Sequence, residues 1–381
     1  MKKPKICFVT SFFHPVIGGV ESHVYYLAKE FMKMGYDIEV FTSDCTRDAK
    51  IDVLEEEYEG IKIRRFKSLF RIGFGEMFMP KLFSAVKNSD ADLFHVHVYR
   101  HSHNFIAFFT KKPSVLTPHW PIYRGQRKTS VQMLVDLVDI SLGKYIMKKF
   151  KKIFVITGLE IPWVESFGVN SEDISLAPNA IPSNYFKKYD GKNFRKKYKL
   201  SEKDLVMLTM SRIHESKGID QVINLAKFFP KVKFIIGGKD GGARDGLENL
   251  ISKLNLKNII FTGMISEREK LEAYAGSDIF CSPSHYEGFC ISILEAMSQE
   301  CAVITSDRGG MPWVVGKDGL VFKDNNLNDF KKQFKKIVSN KKIRENFQKK
   351  GLEKSKNFKW KKTAEIINKE YEKLINPINL L

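Results

Sequence analysis

"KICFVTSFFHPVIGGVESHVYYLAKEFMKMGYDIEVFTSD", residues 5–44, holds the pattern that sets the fold. An apolar run rich in β-branched and aromatic residues comes first. Val20, Val24, Leu27, Phe31 and Met34 then recur every three or four positions before a second apolar run. A period near 3.6 puts those five side chains on one face of a helix, Gly35 supplies its stop, and the flanking runs read as strands. The alternation continues through "LFHVHV", "SVLTPH" and "IFVIT". Repeated βαβ units imply a parallel sheet, so the first half of the chain is expected to be an α/β domain.

A second series begins near residue 205. "LVMLTMS", "VKFIIGG", "NIIFTG", "DIFCSPS" and "AVITS" read as strands separated by "IDQVINLAKFF", "GLENLISKLNL", "REKLEAYAGS" and "ISILEAMSQE" as helices. Between the two series, residues 178–204, "PNAIPSNYFKKYDGKNFRKKYKLSEKD", are polar and basic and contain two prolines, which marks a boundary around 180–190. The final segment, "WKKTAEIINKEYEKLI", is an amphipathic helix with Ala364, Ile367, Tyr371 and Leu374 on one face, and it needs a surface to pack on.

A chain of 381 residues suits two compact units, and 43% hydrophobic residues exclude extended disorder. The net charge of +19, from 63 Lys plus Arg against 44 Asp plus Glu, points to an anionic partner such as nucleic acid, anionic lipid or nucleotide. Five scattered cysteines without a C-x-x-C pair read as reduced thiols in a cytoplasmic protein. No run approaches about 18 consecutive apolar residues, so any membrane contact is expected to be peripheral. The start, "MKKPKICFVTSFF", reads as a strand, not a signal peptide.

Three segments could carry chemistry. In "EGFCISILE", residues 287–295, two carboxylates on one continuous helix would have Cα atoms roughly 12 Å apart. A glycosidase acid–base pair needs carboxylates about 5 to 9.5 Å apart, so that role is excluded. Glu287 is expected on a loop and Glu295 inside the following helix, both at the carboxyl edge of the sheet, where open α/β sheets bind ligands. The amides of Gly288, Phe289 and Cys290 at the helix start would favour an anion. The spacing alone fits a capped surface helix equally well. In "SRIHESKGID", Arg212 and Lys217 flank a turn and Gly218 allows close backbone approach, which suits a phosphate held without metal, although two cations beside a turn are commonly just solvated. Near the N-terminus, "FFHPVIGGVESH" sets Gly18 and Gly19 between strand and helix but lacks G-x-G-x-x-G, so it is no dinucleotide fingerprint.

"GGVESHV", "TPHW", "PNAIP", "SRIHESKGID", "FIIGG", "FTGMIS", "EGFCISILEA" and "RGGMPWVV" together resemble the retaining glycosyltransferases of family 4 over nearly the whole chain. Among these, "GGVESH" and "SRIHESKGID" are most similar to enzymes of phosphoinositide-type lipids, the phosphatidylinositol mannosyltransferases and the catalytic subunit of phosphatidylinositol N-acetylglucosaminyltransferase. The resemblance implies the GT-B fold, an α/β architecture of two Rossmann-like domains facing across a cleft. Residues 1–183 would form the acceptor-side domain and residues 184–362 the nucleotide-sugar-binding domain. A C-terminal helix within 363–381 would cross back to the first. It implies transfer of a hexose or N-acetylhexosamine from a UDP- or GDP-sugar to a lipid or polyol-phosphate acceptor, at the cytoplasmic face of a membrane and without metal or other cofactor.

By the same resemblance, Arg212 and Lys217 would bind the donor diphosphate and stabilise its charge as it leaves. Glu287 with the amides of Gly288, Phe289 and Cys290 would hold the sugar, Glu295 the ribose, and Gly263 and Met264 would lie near the base. His119 of "TPHW" would contact the donor sugar, Gly19 the phosphates and Glu21 the acceptor. Two departures stand out: Trp313 replaces the common Glu after "GGxP", and "KDGGARDG" follows "FIIGG".

Other features have plainer readings. His95, His97, His101 and His103 lie within nine residues, a spacing compatible with zinc, yet the family has histidines there without metal. "DAD", residues 90–92, resembles a manganese-binding D-x-D but reads as a turn. Residues 64–83, "RRFKSLFRIGFGEMFMPKLF", interleave basic and large apolar residues and could lie on an anionic membrane, or form a core helix with a solvated loop. A basic nucleic-acid-binding protein and a nucleotide-sugar epimerase of the same fold are the competing functions. No nucleic-acid module is recognisable, so nucleic acid is not an expected partner.

Overall fold

The computed structural model describes residues 3–72, 76–119 and 129–376. It comprises two compact units, Met1–Ala180 with Trp360–Leu381, and Ile181–Lys359. Each crossing falls three residues before its expected place, at 180 against 183 and at 359 against 362.

The first unit holds β1 (Lys5–Val9), β2 (Asp37–Ser43), β3 (Glu55–Tyr58), β4 (Ile61–Phe66), a small hairpin of β5 (Arg71–Ile72) and β6 (Glu76–Met77), β7 (Leu93–His97), β8 (Ser114–Thr117), β9 (Lys152–Val155) and β10 (Ile174–Leu176). Its main sheet runs β10-β9-β8-β7-β1-β2-β4-β3, parallel throughout except for the antiparallel β3–β4 pair at one edge. Both faces are buried, as a parallel sheet requires. On one face the Gly19–Lys33 helix and the terminal Trp360–Ile375 helix cover Phe8, with Val24, Leu27, Phe31, Ala364, Ile367 and Tyr371 all fully buried. Phe31 and Tyr371 stack at 4.9 Å. Burying each large side chain is worth about 1.5–3 kcal/mol, so the C-terminal helix is held to the first unit by its apolar face. Val9, Phe94, Leu116 and Met147 form the core on the other face.

The second unit holds β11 (Leu205–Met210), β12 (Val232–Gly237), β13 (Ile259–Gly263), β14 (Ile279–Ser282), β15 (Ala302–Ser306) and β16 (Leu320–Phe322), in the all-parallel order β13-β12-β11-β14-β15-β16. The order reverses direction between β11 and β14, and ligands of such sheets bind outside the carboxyl ends of the strands at that switch. The loops after β11 and β14 therefore emerge side by side. In the first unit the corresponding switch lies between β1 and β7.

Residues 64–83 are neither one helix nor a free basic face. They comprise the end of β4, the hairpin and the start of the Pro80–Lys87 helix. Met77, Met79 and Leu82 belong to the core, and the Arg65 guanidinium is buried against Glu56. Only Leu69 and Phe70 stand out as exposed large apolar side chains among the described residues of this segment. "DAD" lies in the connection before β7, where Lys5 binds Asp90 at 2.7 Å and its amide donates to Asp92 at 2.8 Å.

Candidate functional site

Lys217 and Glu287 meet at the switch point of the second unit, with Nζ 2.5 Å from Oε1 and side chains 20% and 23% exposed. Two local structures bring them there. After β11, the His214 carbonyl accepts from the Lys217 amide at 2.9 Å, and Gly218 follows at φ 59°, a left-handed conformation. A Cβ at Gly218 would overlap the Pro283 carbonyl of the neighbouring loop, so the two loops can approach this closely only with glycine here. Gly218→Ala is expected to cost at least about 1–2 kcal/mol and to weaken nucleotide binding, read together in one thermal-melting series with and without UDP.

The loop after β14 is braced by groups distant in sequence. Ser216 accepts from the His285 amide at 3.0 Å, Gln221 Nε2 donates to the Pro283 carbonyl at 2.9 Å, and His285 Nδ1 lies 2.8 Å from Asp324. Gly310 donates its amide to the Glu287 carbonyl at 2.8 Å, and Ser284 Oγ donates to Oε1 of Glu287 at 3.1 Å. Burial pulls the Lys217 ammonium down, but the facing Glu287 carboxylate outweighs it and holds its pKa above the ordinary lysine value. Lys217 is thus a fixed positive charge at neutral pH.

Arg212 is exposed beside this pair, its aliphatic stem close to Gly241. The chain turns from Glu287 into the Ile291–Ser298 helix through Cys290 at φ 71°. The amides of Gly288, Phe289 and Cys290 donate to no protein group among the described residues. Phe289 packs on Trp313 with ring centroids 6.1 Å apart, and Trp313 in turn contacts Phe358 at 6.3 Å. Trp313 therefore occupies its unusual position as apolar support for the loop. Burial, with the nearby Glu287 carboxylate, pushes the Cys290 thiol up to about 12, so it stays neutral and is not a nucleophile. Gly263 ends β13 with open space around it, and Met264 is 73% exposed.

Glu295 lies inside the helix as expected, but its carboxylate already has partners: Tyr274 donates to it at 2.8 Å and Lys270 at 3.3 Å. A carboxylate has about four acceptor sites, so room remains for a diol. These partners, like the Asp324 brace, had no local signal in the sequence.

In the first unit Gly19 opens its helix with nothing within 4 Å of where a Cβ would stand. Glu21 is only 6% exposed, with Arg47 at 3.2 Å. His119 follows β8 at φ 56°, and Trp120 of its motif lies outside the described residues. His97 Nδ1 is 3.1 Å from His119 Nε2, and the His23 ring stands edge-on to His119 at 4.8 Å. His23 Nδ1 lies 2.5 Å from Asn179 Oδ1 and must donate to it, which leaves its buried Nε2 as a lone pair without a hydrogen-bond partner among the described residues. His23, His97 and His119 can each offer a ligand atom within 4.8 Å of the others. The sequence had pointed to His95, His97, His101 and His103. His95 is instead bound by Tyr371 at 2.5 Å and Thr117 at 2.7 Å, and His103 Nε2 bonds the His97 carbonyl at 2.8 Å. His23 was missed as a member of the cluster although it lies within the quoted "GGVESH".

Residues 190–354 match the family described as glycosyl transferases group 1, and residues 17–185 match the one described as glycosyltransferase family 4. An uncharacterized glycosyltransferase of Methanocaldococcus jannaschii is 24% identical over 99% of this chain and 100% of its own length. A phosphatidylinositol N-acetylglucosaminyltransferase subunit from Arabidopsis thaliana is 24% identical over 88% of this chain and 75% of its own. Among solved structures, the Anabaena HepE protein in complex with UDP and glucose superposes with a TM-score of 0.75 at 17% identity, covering 97% of this chain and 99% of that one.

Proposed function

Because the chain belongs to the glycosyltransferases of family 4, with the GT-B fold, we propose that it is a metal-independent retaining enzyme moving a hexose or N-acetylhexosamine from a UDP- or GDP-sugar to a lipid or polyol-phosphate acceptor at the cytoplasmic membrane face. The observation that carries this reading is the Lys217–Glu287 pair at the switch point, beside Arg212 and three amides without protein partners among the described residues. A nucleoside diphosphate-sugar needs two cations for the diphosphate and an acceptor with amide donors for the sugar hydroxyls. Those groups are supplied within two adjacent loops.

In the proposed reaction the acceptor hydroxyl attacks the anomeric carbon on the face from which the diphosphate departs. The sugar–phosphate bond breaks as the new glycosidic bond forms, and the leaving phosphate oxygen takes the hydroxyl proton. Lys217 and Arg212 stabilise the charge growing on that oxygen. Glu287 and the amides of Gly288, Phe289 and Cys290 orient the sugar, Glu295 takes the ribose diol, and Gly263 and Met264 flank the base. His119 keeps in this reading the sugar-contacting role that the family resemblance implies. No protein nucleophile is needed. The activity named for the Arabidopsis relative supports a phosphoinositide-type lipid acceptor, and the ligands of the Anabaena structure support UDP.

A thermal-shift panel of UDP-, GDP- and ADP-sugars tests the donor. A ligand bound only by the folded chain adds about 2.7 kcal/mol at 100 times its dissociation constant, and one nucleotide is expected to stand out. No shift with any of the three contradicts the reading. Nucleoside diphosphate released only in the presence of acceptor separates transfer from epimerisation.

A further inference from the structure

A helical rod in the first unit turns several large apolar side chains toward solvent. The Thr129–Val138 helix runs through a π-helical turn, Asp139–Gly143, into the Lys144–Lys149 helix; Val138, Gly143 and Lys144 all keep right-handed helical angles, so the rod is continuous. Its inner side is anchored. Ile146 and Met147 belong to the core, and a Cβ at Gly143 would overlap the Phe167 ring. Arg100 clasps Asp139 at 2.5 Å.

The outer side has no such anchor among the described residues. Met133 is 67% exposed, Leu137 61%, Ile140 80% and Tyr145 70%. The first three are spaced by four and three residues, so they share a face. Single exposed apolar residues are ordinary, but a cluster of large ones marks a contact surface. The lysines say which kind. Lys144, Lys148 and Lys149 are exposed on the same rod, and Lys149 Nζ stands 5.4 Å over the ring of Phe108, which is exposed like Phe109. The rod's acids offset them only in part: Asp139 is matched by Arg100, which leaves Asp136, accepting from the neutral Gln132 amide at 2.8 Å, as one negative charge against three lysines. Protein–protein interfaces are depleted of lysine at their centres, whereas an anionic bilayer surface takes lysine ammonium groups at the headgroups and aliphatic tips below them.

We propose that the outer face of residues 133–149 is the surface by which this protein docks on an anionic lipid bilayer. The biological purpose of such docking rests on the lipid-acceptor reading; the surface itself does not. It also places the contact away from residues 64–83, whose apolar residues are largely core.

The test is flotation of the full chain with vesicles of phosphatidylcholine alone and of phosphatidylcholine mixed with phosphatidylglycerol. The wild type is expected to float with the mixed vesicles only. Leu137→Asp with Ile140→Asp should lower partitioning at least ~10-fold. Lys144→Gln with Lys148→Gln and Lys149→Gln should lower it about 5-fold per lysine, or roughly 100-fold together. Leu69→Asp with Phe70→Asp should leave it unchanged. The substituted side chains are exposed, so each variant should melt as the wild type does and keep its UDP-sugar shift. Wild-type failure to bind anionic vesicles, or undiminished binding by the rod variants, overturns the proposal. So does a wild-type dimer that Ile140→Asp dissociates, because the face would then be an interface between copies. Vesicle binding without any nucleotide-sugar shift would instead overturn the transferase reading and leave the docking surface standing.

Discussion

Lys217→Ala is expected to lower turnover of sugar transfer by about 10²–10³-fold while shifting the melting temperature by only a few degrees. The ammonium is held 2.5 Å from Glu287, on a turn fixed by Gly218, so it is oriented before any donor arrives. Charge appearing on a leaving diphosphate would meet a cation that needs little reorganisation, and this advantage acts at the transition state. Loss should therefore fall on kcat more than on donor affinity. The folded state has less at stake. An ion pair about one-fifth exposed on each side contributes on the order of 1 kcal/mol, and Ser284 still donates to Glu287 at 3.1 Å after the lysine is gone. Glu287→Ala should be similarly impaired, and the double variant should be little worse than either single one if the two groups act as a unit. Steady-state transfer at saturating donor, beside thermal melting, decides the matter. Near-normal turnover in both single variants would sink the site assignment.

Most of the fold was legible because its signals are local. The stripe from Val20 to Met34 and the runs from "KICFV" to "AVITS" each carry their own period. β3 and β4 were missed because "EEEYEGIKIRRF" is a charged edge pair whose alternation was absorbed into a membrane reading of the following residues. β16, at three residues, carries too little pattern to find. Arg212, Lys217 and Glu287 could be found because each lies just beyond a strand, where chain order alone puts it at the carboxyl edge. What holds them could not be found. Asp324 reaches His285 from a separate strand's exit, Tyr274 and Lys270 reach Glu295 from the preceding helix, and Trp313 supports Phe289 from the next. Such contacts depend on how loops fold over one another, which no period in the chain encodes. The exposed face of residues 133–149 escaped for a related reason: an amphipathic pattern shows one apolar face, and only the packed core shows that a second remains outside.

Mild acid should unfold the first unit before the second. Among its histidines, His23, His95, His97 and His103 are fully buried, and His101 and His119 are packed beside them. Burial, the largest cause at each, lowers all six below the ordinary value; it brings His23 and His103 to about 4 and His101 to about 3. The folded unit keeps these rings neutral, whereas an unfolded chain protonates them near pH 6.5. Below that pH the unfolded state binds more protons, so stability is fully present above about 6.5 and is lost as pH falls toward 4. For His23 and His103 a gap of about 2.5 units is worth roughly 3 kcal/mol each, and the other four act in the same direction. A domain has only about 5–15 kcal/mol in total, so the loss is decisive. The second unit responds with the opposite sign. Its His285 is raised by the hydrogen bond to Asp324, a contribution fully present below about 6.5 and lost as pH rises through the elevated value. Trp163 and Trp360 report on the first unit and Trp313 on the second, so Trp313→Phe isolates the first-unit fluorescence transition. Between about pH 7 and pH 5 that transition should fall by about 10–20 °C, at the usual 2–4 °C per kcal/mol for units of this size. A first-unit midpoint that stays level over this range would mean that the rings take up protons without unfolding, and that the buried histidine cluster is open to water.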